Sequence, residues 1–249
     1  MIKFYKILFL ICIPAFSYSQ VKDSVINIWQ CELNYSFDMP KGDIANRFGN
    51  NSTVGLGLTY KTKHNWTAGF EVNYLFGGNL KDSSAVLNGI MTETGQIINK
   101  FGEYGSVLLT EKGFYVGGKV GRVFPVLGPN KNSGIVFNIG AGLLQYKTRI
   151  ENKDNNTPPV LNDYKKGYDH LTNGLSAREF IGYQFLDNKN LFNFYFGLEF
   201  YQAWTKCRRD YNFDLMGSDD VLKHDYLFGI RAGWIVPIYT RTPNKYYYY

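Results

Sequence analysis

Three glutamates and three basic residues occur at alternate positions within otherwise apolar segments. They are Glu32, Glu71 and Glu199, with Lys119, Arg178 and Arg231 as the basic members. Because side chains alternate between the two faces of a strand, all six are predicted to lie on the face opposite the apolar one. In a shared interior they would either line an ion path or neutralise one another. Since buried charges need partners, neutralisation through salt bridges is favoured.

The histidines offer the main route to catalysis. His170 lies beside Asp169 and near Thr172, while His224 precedes Asp225, so each neighbourhood holds an acid and a base. A hydrolytic triad is recognised by its geometry, and these spacings carry no signature of one. The residue pattern therefore favours a protein without catalytic residues.

Metal and cofactor sites are not indicated. Acidic residues such as Asp219 and Asp220 cluster between the apolar segments, but without the regular spacing and turn glycine of a calcium loop. Gly117-Gly118-Lys119 lies within a predicted strand and not in a phosphate-binding turn. Cys31 and Cys207, the two cysteines that follow the N-terminal leader, are too few for a zinc site. No cofactor is expected.

The elements that must position these groups are about eight amphipathic segments. Each has apolar residues at every second position and small or polar residues between them, as strands with one apolar face do. The segments run approximately over residues 29–37, 53–61, 66–76, 114–124, 135–143, 177–186, 192–204 and 226–238. In lipid only helices and closed barrels satisfy every backbone polar group. The pattern predicts an all-β, eight-stranded antiparallel up-and-down transmembrane β-barrel.

The N-terminus resembles a secretory signal. Lys3 and Lys6 precede an apolar run over residues 7–16, and Ser17-Tyr18-Ser19 supplies small residues before a cut at Gln20. We therefore expect a cleaved signal peptide over 1–19 and a barrel over 20–249. Removing the leader leaves 25 basic and 21 acidic residues, a net charge of +4. In an exported chain, this basic excess fits anionic lipid head groups better than nucleic acid.

The links between segments alternate in length. Short links are predicted near residues 63–65, 128–133 and 187–190, and long ones near 38–51, 78–112, 151–172 and 208–222. Outer-membrane barrels have short periplasmic turns and long extracellular loops. The sequence thus predicts three periplasmic turns and four extracellular loops. Within the second loop, the spacing of Val86, Leu87, Ile90 and Met91 after Ser83-Ser84 predicts a short amphipathic helix at the barrel mouth.

Two of the long loops combine tyrosine with basic residues. The candidate contact surface consists of Tyr164, Lys165, Lys166 and Tyr168 in the third loop, with Arg208 and Arg209 in the fourth. Arginine binds phosphate or carboxylate bidentately, which suits lipopolysaccharide and a protein partner equally. Solvated loops that bind neither are the remaining alternative.

The eight-strand plan is similar to the OmpA/OmpX-type small outer-membrane barrels. The segments Gly42–Asn50, Tyr60–Lys63 and Asp163–Asp169 resemble an uncharacterised outer-membrane barrel family of Bacteroidota, over nearly the whole mature chain. The resemblance implies location and fold, and no catalytic residues. The chain departs from many such barrels at its end, where Pro243 should stop the last strand before an aromatic tail, Tyr246–Tyr249.

These observations lead to one functional expectation. The chain is predicted to be an integral outer-membrane barrel with a plugged, salt-bridged lumen, either a structural or binding protein or an accessory subunit of an assembly or secretion complex of the envelope. An outer-membrane enzyme acting on lipopolysaccharide acyl chains, or a narrow pore, is the alternative. Expected partners are outer-membrane lipid and lipopolysaccharide, with other envelope proteins as further candidates, but no nucleic acid.

Overall fold

Eight antiparallel strands pair in a ring in the computed structural model, which describes residues 25–81, 86–152, 156–187 and 192–239. The barrel strands are β1 (Ile28–Gly42), β2 (Asn51–Lys61), β3 (Trp66–Gly77), β6 (Val107–Phe124), β7 (Gly134–Asn152), β8 (Thr172–Leu186), β9 (Asn193–Cys207) and β10 (Leu222–Tyr239). Each strand pairs with its chain neighbours, and β10 closes the ring on β1. The predicted all-β, eight-stranded antiparallel barrel is confirmed. The leader, Ser83-Ser84, Pro243 and the Tyr246–Tyr249 tail lie outside the described residues.

The two faces of the wall follow from side-chain alternation. On β6, Phe114, Val116 and Val120 point outward and are exposed, whereas Tyr115 and Lys119 point inward and are buried. The other strands repeat this pattern, with an apolar outside and a polar inside. The barrel therefore has its large apolar surface on the exterior, and its charged groups share the lumen. Among the described residues, no helix is both long enough and apolar enough to cross a membrane.

The strands differ in length. β6 and β7 have 18 and 19 residues, whereas β2 and β3 have 11 and 12, so the β6–β7 hairpin rises above the rest of the rim. The second and third loops pack against its extension. The apolar cluster they form consists of Val86, Leu87, Ile97, Leu109, Ile150, Val160 and Tyr168. This end of the barrel thus carries a small folded cap.

The described part of the second loop includes helical residues. Residues 86 and 87 are helical and lead into a 3-10 turn at Asn88–Ile90, and a two-stranded hairpin follows, β4 (Ile97–Ile98) with β5 (Tyr104–Gly105). Val86 and Leu87 are buried in the cap cluster. Of the predicted helix, residues 86 and 87 are helical and face the cap, Ile90 lies in the 3-10 turn, and residues 82–85 lie outside the described residues.

The first long link is shorter than expected. β1 continues to Gly42, so only residues 43–50 remain between β1 and β2, including the single-turn helix α1 (Ile44–Arg47). The β6–β7 connection, residues 125–133, is one residue longer. The predicted bounds of 38–51 were wrong because the strand's inward face stays polar and paired beyond Asp38. The tight β2–β3 turn is closed by Asn65 at a φ of 63°, a conformation that asparagine tolerates well.

Candidate functional site: the charged lumen and the loop platform

The centre of the lumen is built around two arginines. Arg231 on β10 places Nη1 2.8 Å from Glu199 on β9, and Nη2 3.1 Å from Glu71 on β3. Its Nε donates to the Tyr195 hydroxyl at 3.3 Å. Arg178 on β8 contacts the same two carboxylates, at 3.2 Å for Glu199 and 3.1 Å for Glu71. Two guanidinium groups and two carboxylates thus form one compact cluster across the barrel.

Lys119 on β6 and Glu32 on β1 add a third pair of charges to this cluster. The Lys119 ammonium lies 2.5 Å from Glu32 on β1 and 3.7 Å from Glu71. Thr59 donates its hydroxyl to the other Glu32 oxygen at 2.5 Å. All six charged residues predicted to face inward are therefore buried, and each contacts at least one opposite charge.

The cluster, which we call the lumen network, carries no net charge. Asn73 donates to Glu71 and to the Tyr201 hydroxyl, both at 3.1 Å, and the Tyr201 ring lies 5.7 Å from the Arg178 guanidinium. The hydroxyl and amide groups thus occupy space between the charges. An eight-stranded barrel has an interior just wide enough for side chains to fill, and the network residues are all buried in it.

Apolar clusters close the lumen above and below the network. At the long-loop end, Ile44 and Phe48 of the first loop turn inward and pack on Tyr115, Leu144 and Tyr146. The Phe48 and Tyr146 rings meet edge to face with centroids 5.8 Å apart. At the short-turn end, the second cluster consists of Ile28, Val123, Val136, Phe180, Leu186, Tyr195 and Ile235. The charged centre is therefore separated from solvent at both ends.

Three buried carboxylates in the outer half of the lumen were missed in the sequence. Asp38 accepts hydrogen bonds from Ser36 and Thr53, Glu111 accepts one from Asn51, and Asp225 accepts from Tyr146 and Thr205. Asp38 and Glu111 fell in predicted loops, and Asp225 at the rim. The alternation of inward and outward side chains continues through Asp38, Glu111 and Asp225 when β1, β6 and β10 are given their full length, so the sequence did contain a signal for these three residues.

The third and fourth loops are fastened together into a loop platform. Arg209 binds both oxygens of Asp169, at 2.7 and 2.6 Å, and this bond raises the pKa of the arginine. The buried His170 places Nε2 2.8 Å from Asp214. Burial raises the pKa of the Asp214 carboxyl, but the hydrogen bond and electrostatic attraction from His170 outweigh this effect, and the pKa lies below its usual value.

The predicted contact surface is only partly exposed. Tyr168 is buried and packs edge to face on Phe213, with ring centroids 5.1 Å apart, so its assignment to the surface was wrong. Arg209 is half-buried in its bond to Asp169. Tyr164, Lys166 and Arg208 are exposed and Lys165 is half-exposed, with Lys166 held 2.7 Å from Asp163. The sequence around Tyr168 shows a tyrosine among basic residues, but it does not show that Phe213 of the next loop covers the ring.

The candidate catalytic groups do not assemble into a triad. His170 is engaged with Asp214, and Thr172 donates to the His170 carbonyl at 3.0 Å, not to its ring. His224 is exposed, and Asp225 beside it points into the lumen. Within the described ranges, no group of three or more histidine, cysteine, aspartate or glutamate side chains has a geometry that could hold a metal ion.

A cavity of about 290 Å³ opens at the barrel mouth between the first and fourth loops. Its lining includes Asn46, Arg47, Thr172, Asp219 and Lys223. Lys223 is already paired with Asp219 at 2.6 Å, while the half-buried Arg47 side chain makes no hydrogen bond or ion pair with the described part of the chain. The mouth therefore presents one guanidinium to solutes from the loop side.

Comparison with known proteins finds likenesses only among solved structures. No family model and no curated protein matches the chain. The chain is similar to Ail, the attachment invasion locus protein of Yersinia pestis, at 11% identity and a TM-score of 0.44, over 84% of this chain and 99% of that one. The N-terminal β-barrel domain of Pseudomonas aeruginosa OprF is 9% identical, with a TM-score of 0.36, over 83% and 96% of the two chains. The outer membrane protein OprG of the same organism is 11% identical, with a TM-score of 0.35, over 85% and 97%.

Proposed function

We propose that this chain is a non-conducting outer-membrane barrel that anchors the loop platform at the cell surface as a structural or binding protein. The observation that carries the proposal is the sealed interior. The lumen network occupies the centre, and apolar clusters cover it at both ends. A wall built in this way holds loops in place but offers no aqueous path.

The exterior supports insertion in a bilayer. A spanning β-strand needs about 9–11 residues at a tilt of about 45°. The outward apolar positions run from Trp66 to Phe76 on β3, from Phe114 to Phe124 on β6 and from Phe194 to Trp204 on β9. Each of these spans eleven residues, and we call the surface they form the apolar belt. A soluble barrel has an apolar interior and a polar exterior, whereas this barrel has a contiguous apolar exterior around a polar interior.

Aromatic residues at the short-turn edge of the apolar belt support the same placement, because tyrosine and tryptophan favour the membrane interface. Trp29 and Tyr60 lie at the short-turn edge with ring centroids 4.9 Å apart. At that edge the Arg122 guanidinium also lies 5.4 Å from the Trp66 ring, where its charge can reach the head groups. By the length of the loops, we place the platform outside and the short turns in the periplasm.

Conductance tests the sealed barrel. Purified protein reconstituted in planar bilayers should give no stable porin-sized channel, because both apolar clusters and the lumen network must move before ions can pass. A known porin at the same protein-to-lipid ratio serves as the positive control. Sustained, reproducible conductance would refute the proposal and favour the pore.

Affinity isolation tests the role of the platform. The tagged protein, extracted in mild detergent from its native membrane, is compared with a variant carrying Lys166→Glu and Arg208→Glu. A stoichiometric envelope protein that is lost from the variant would identify an accessory subunit. Lipopolysaccharide that is retained by the native protein and lost from the variant would identify a lipid-binding role. If both preparations retain the same components, the platform is not the binding surface.

A further inference from the structure

One acidic side chain lies on the lipid-facing side of the proposed barrel. Glu179 on β8 has the same parity as Leu175 and Ile181, which point outward and are exposed, and it is itself exposed. Leu175 lies four residues away toward the loop platform, and Phe185 lies six residues away toward the short turns. Glu179 is therefore near the middle of the apolar belt.

Glu179 has no partner among the residues that the structure describes. Across the strands, its direct neighbours are Ile139 on β7 and Phe200 on β9, both apolar. No described residue forms a hydrogen bond or an ion pair with its carboxyl group. Arg122, the other charged residue on the outward face of the belt in the described ranges, lies at its short-turn edge. Ionisable groups that face hydrocarbon are rare and mark functional contacts.

The outer surface beside Glu179 is formed by small residues and includes a second polar side chain. Gly118, Ala141, Ala177 and Gln202 lie side by side on β6, β7, β8 and β9 and share the outward face. At Gly118 an added side chain would meet only one backbone atom, at 3.8 Å, so this position is open. Small residues let two transmembrane surfaces approach closely. Gln202 is diagonal to Glu179 across the β8–β9 pair, about 7–8 Å away, and the two side chains form no hydrogen bond with each other.

We propose that this patch, defined by Gly118, Ala141, Ala177, Glu179 and Gln202, is the interface of a homodimer within the membrane. In a two-fold contact, residue i of one copy meets residue j of the other, and the reverse contact follows by symmetry. With the two-fold axis midway between Glu179 and Gln202, beside Ala177, the Gln202 amide of each copy donates to the Glu179 carboxyl of the other when both side chains are extended. The patch is thus complementary to itself, because it contains both an acceptor and a donor flanking the residues that allow close approach.

The second copy accounts for the observations better than a head group does. The Glu179 side chain has two methylene groups and lies several residues from either belt edge, so its carboxyl does not reach the interface. The inference rests on the proposed placement in a bilayer. Flotation of the reconstituted protein with lipid vesicles measures insertion in the bilayer independently of the oligomeric state.

The experiment measures the dimer fraction in lipid nanodiscs or vesicles by energy transfer between labelled copies, at a fixed protein-to-lipid ratio. Glu179→Leu and Gln202→Leu should each lower the dimer association constant at least about tenfold, the ratio expected for loss of a charge-assisted hydrogen bond. Glu179→Gln retains a donor and an acceptor and should keep most of the dimer. Ala177→Trp should abolish association by filling the patch, whereas the control Ala232→Trp, which changes a small outward residue on β10, should leave it unchanged.

Each result bears on the proposal. Glu179→Leu should raise the resistance of the inserted monomer to urea while it lowers the dimer association constant, a combination that a merely structural role for Glu179 does not produce. A monomeric native protein that floats with the vesicles would overturn the homodimer. Crosslinking of Ala177→Cys in cells to a different membrane protein would likewise overturn it in favour of a hetero-partner. A protein that does not float would overturn the proposed function itself.

Discussion

Arg231 and Glu199 form a 2.8 Å ion pair between neighbouring strands, and both side chains are completely buried. The same arginine reaches Glu71 on the far side of the lumen, so one residue connects β10, β9 and β3. Because Arg178 contacts both carboxylates as well, no pair within the network is independent of the others.

Glu199→Gln and Arg231→Met should each destabilise the barrel. Removing one partner of a buried ion pair typically costs about 3–5 kcal/mol, since the other charge is left without compensation. The double change should cost less than the sum of the two. Urea titration of the folded fraction in detergent or vesicles measures all three, with the exposed Arg149→Met as the neutral control. Additive effects, or silent single changes, would indicate a hydrated path.

Phe48→Ala should destabilise the mouth without opening a channel. Phe48 is fully buried against Tyr146, and truncation of a buried phenylalanine costs about 3–5 kcal/mol. We expect faster protease cleavage within residues 43–50 and a lower melting temperature, but unchanged conductance because the lumen network remains. Phe101→Ala, at a side chain that is 69% exposed, is the control. An increase in conductance would place the main barrier at the mouth.

The contact between the third and fourth loops should weaken in acid. The pKa of Asp214 is lower in the folded protein than in the unfolded chain, so its stabilising contribution is complete above the unfolded value of about 3.9 and is lost as the pH falls through the folded value. The protection factors of the amides over residues 208–217, which are corrected for the intrinsic exchange rate at each pH, should fall between about pH 5 and pH 3. Asp214→Asn should exchange faster at pH 5 and respond less to acid. Equal pH responses in both proteins would contradict this assignment.

Cysteine labelling tests the orientation. With native cysteines replaced, Lys166→Cys and Gly217→Cys should react with an impermeant reagent on intact cells, because both positions lie in the loop platform. Lys131→Cys, exposed in the β6–β7 turn, should react only after the outer membrane is permeabilised. Asn188→Cys, outside the described residues, should behave like Lys131→Cys. Labelling of all positions on intact cells would reject the proposed orientation.

The fold was accessible from the sequence because the alternation of side chains is local information. Phe194, Phe196 and Leu198 on β9 share a face through a period of two alone. The same rule placed Glu199 and Arg231 inward, and their strands are adjacent, so a contact between them was foreseeable.

The parts that were missed depend on information from other segments. Strand ends are set by the partner strand, which is why Asp38 and Glu111 were taken for loop residues. Burial of Tyr168 requires Phe213 from a different loop, and the closure by Ile44 and Phe48 requires the first loop to fold back into the lumen. Glu179 was detectable, since its parity with Ile181 already places it outward.

The position of the lumen network relative to the β1–β10 pairing has a consequence for biogenesis. Glu32 belongs to the first strand and Arg231 to the last. Inside the lumen the two are connected through Lys119, which contacts Glu32 and Glu71, and through Glu71, which contacts Arg231. An incomplete sheet without β10 would carry Glu71 and Glu199 with one arginine in place of two. Pairing of β10 with β1 therefore forms the last backbone hydrogen bonds of the ring and balances the charge of the lumen in the same step. Completion of the ring should thus be all-or-none, and a chain stalled one strand short should remain recognisable as unfinished.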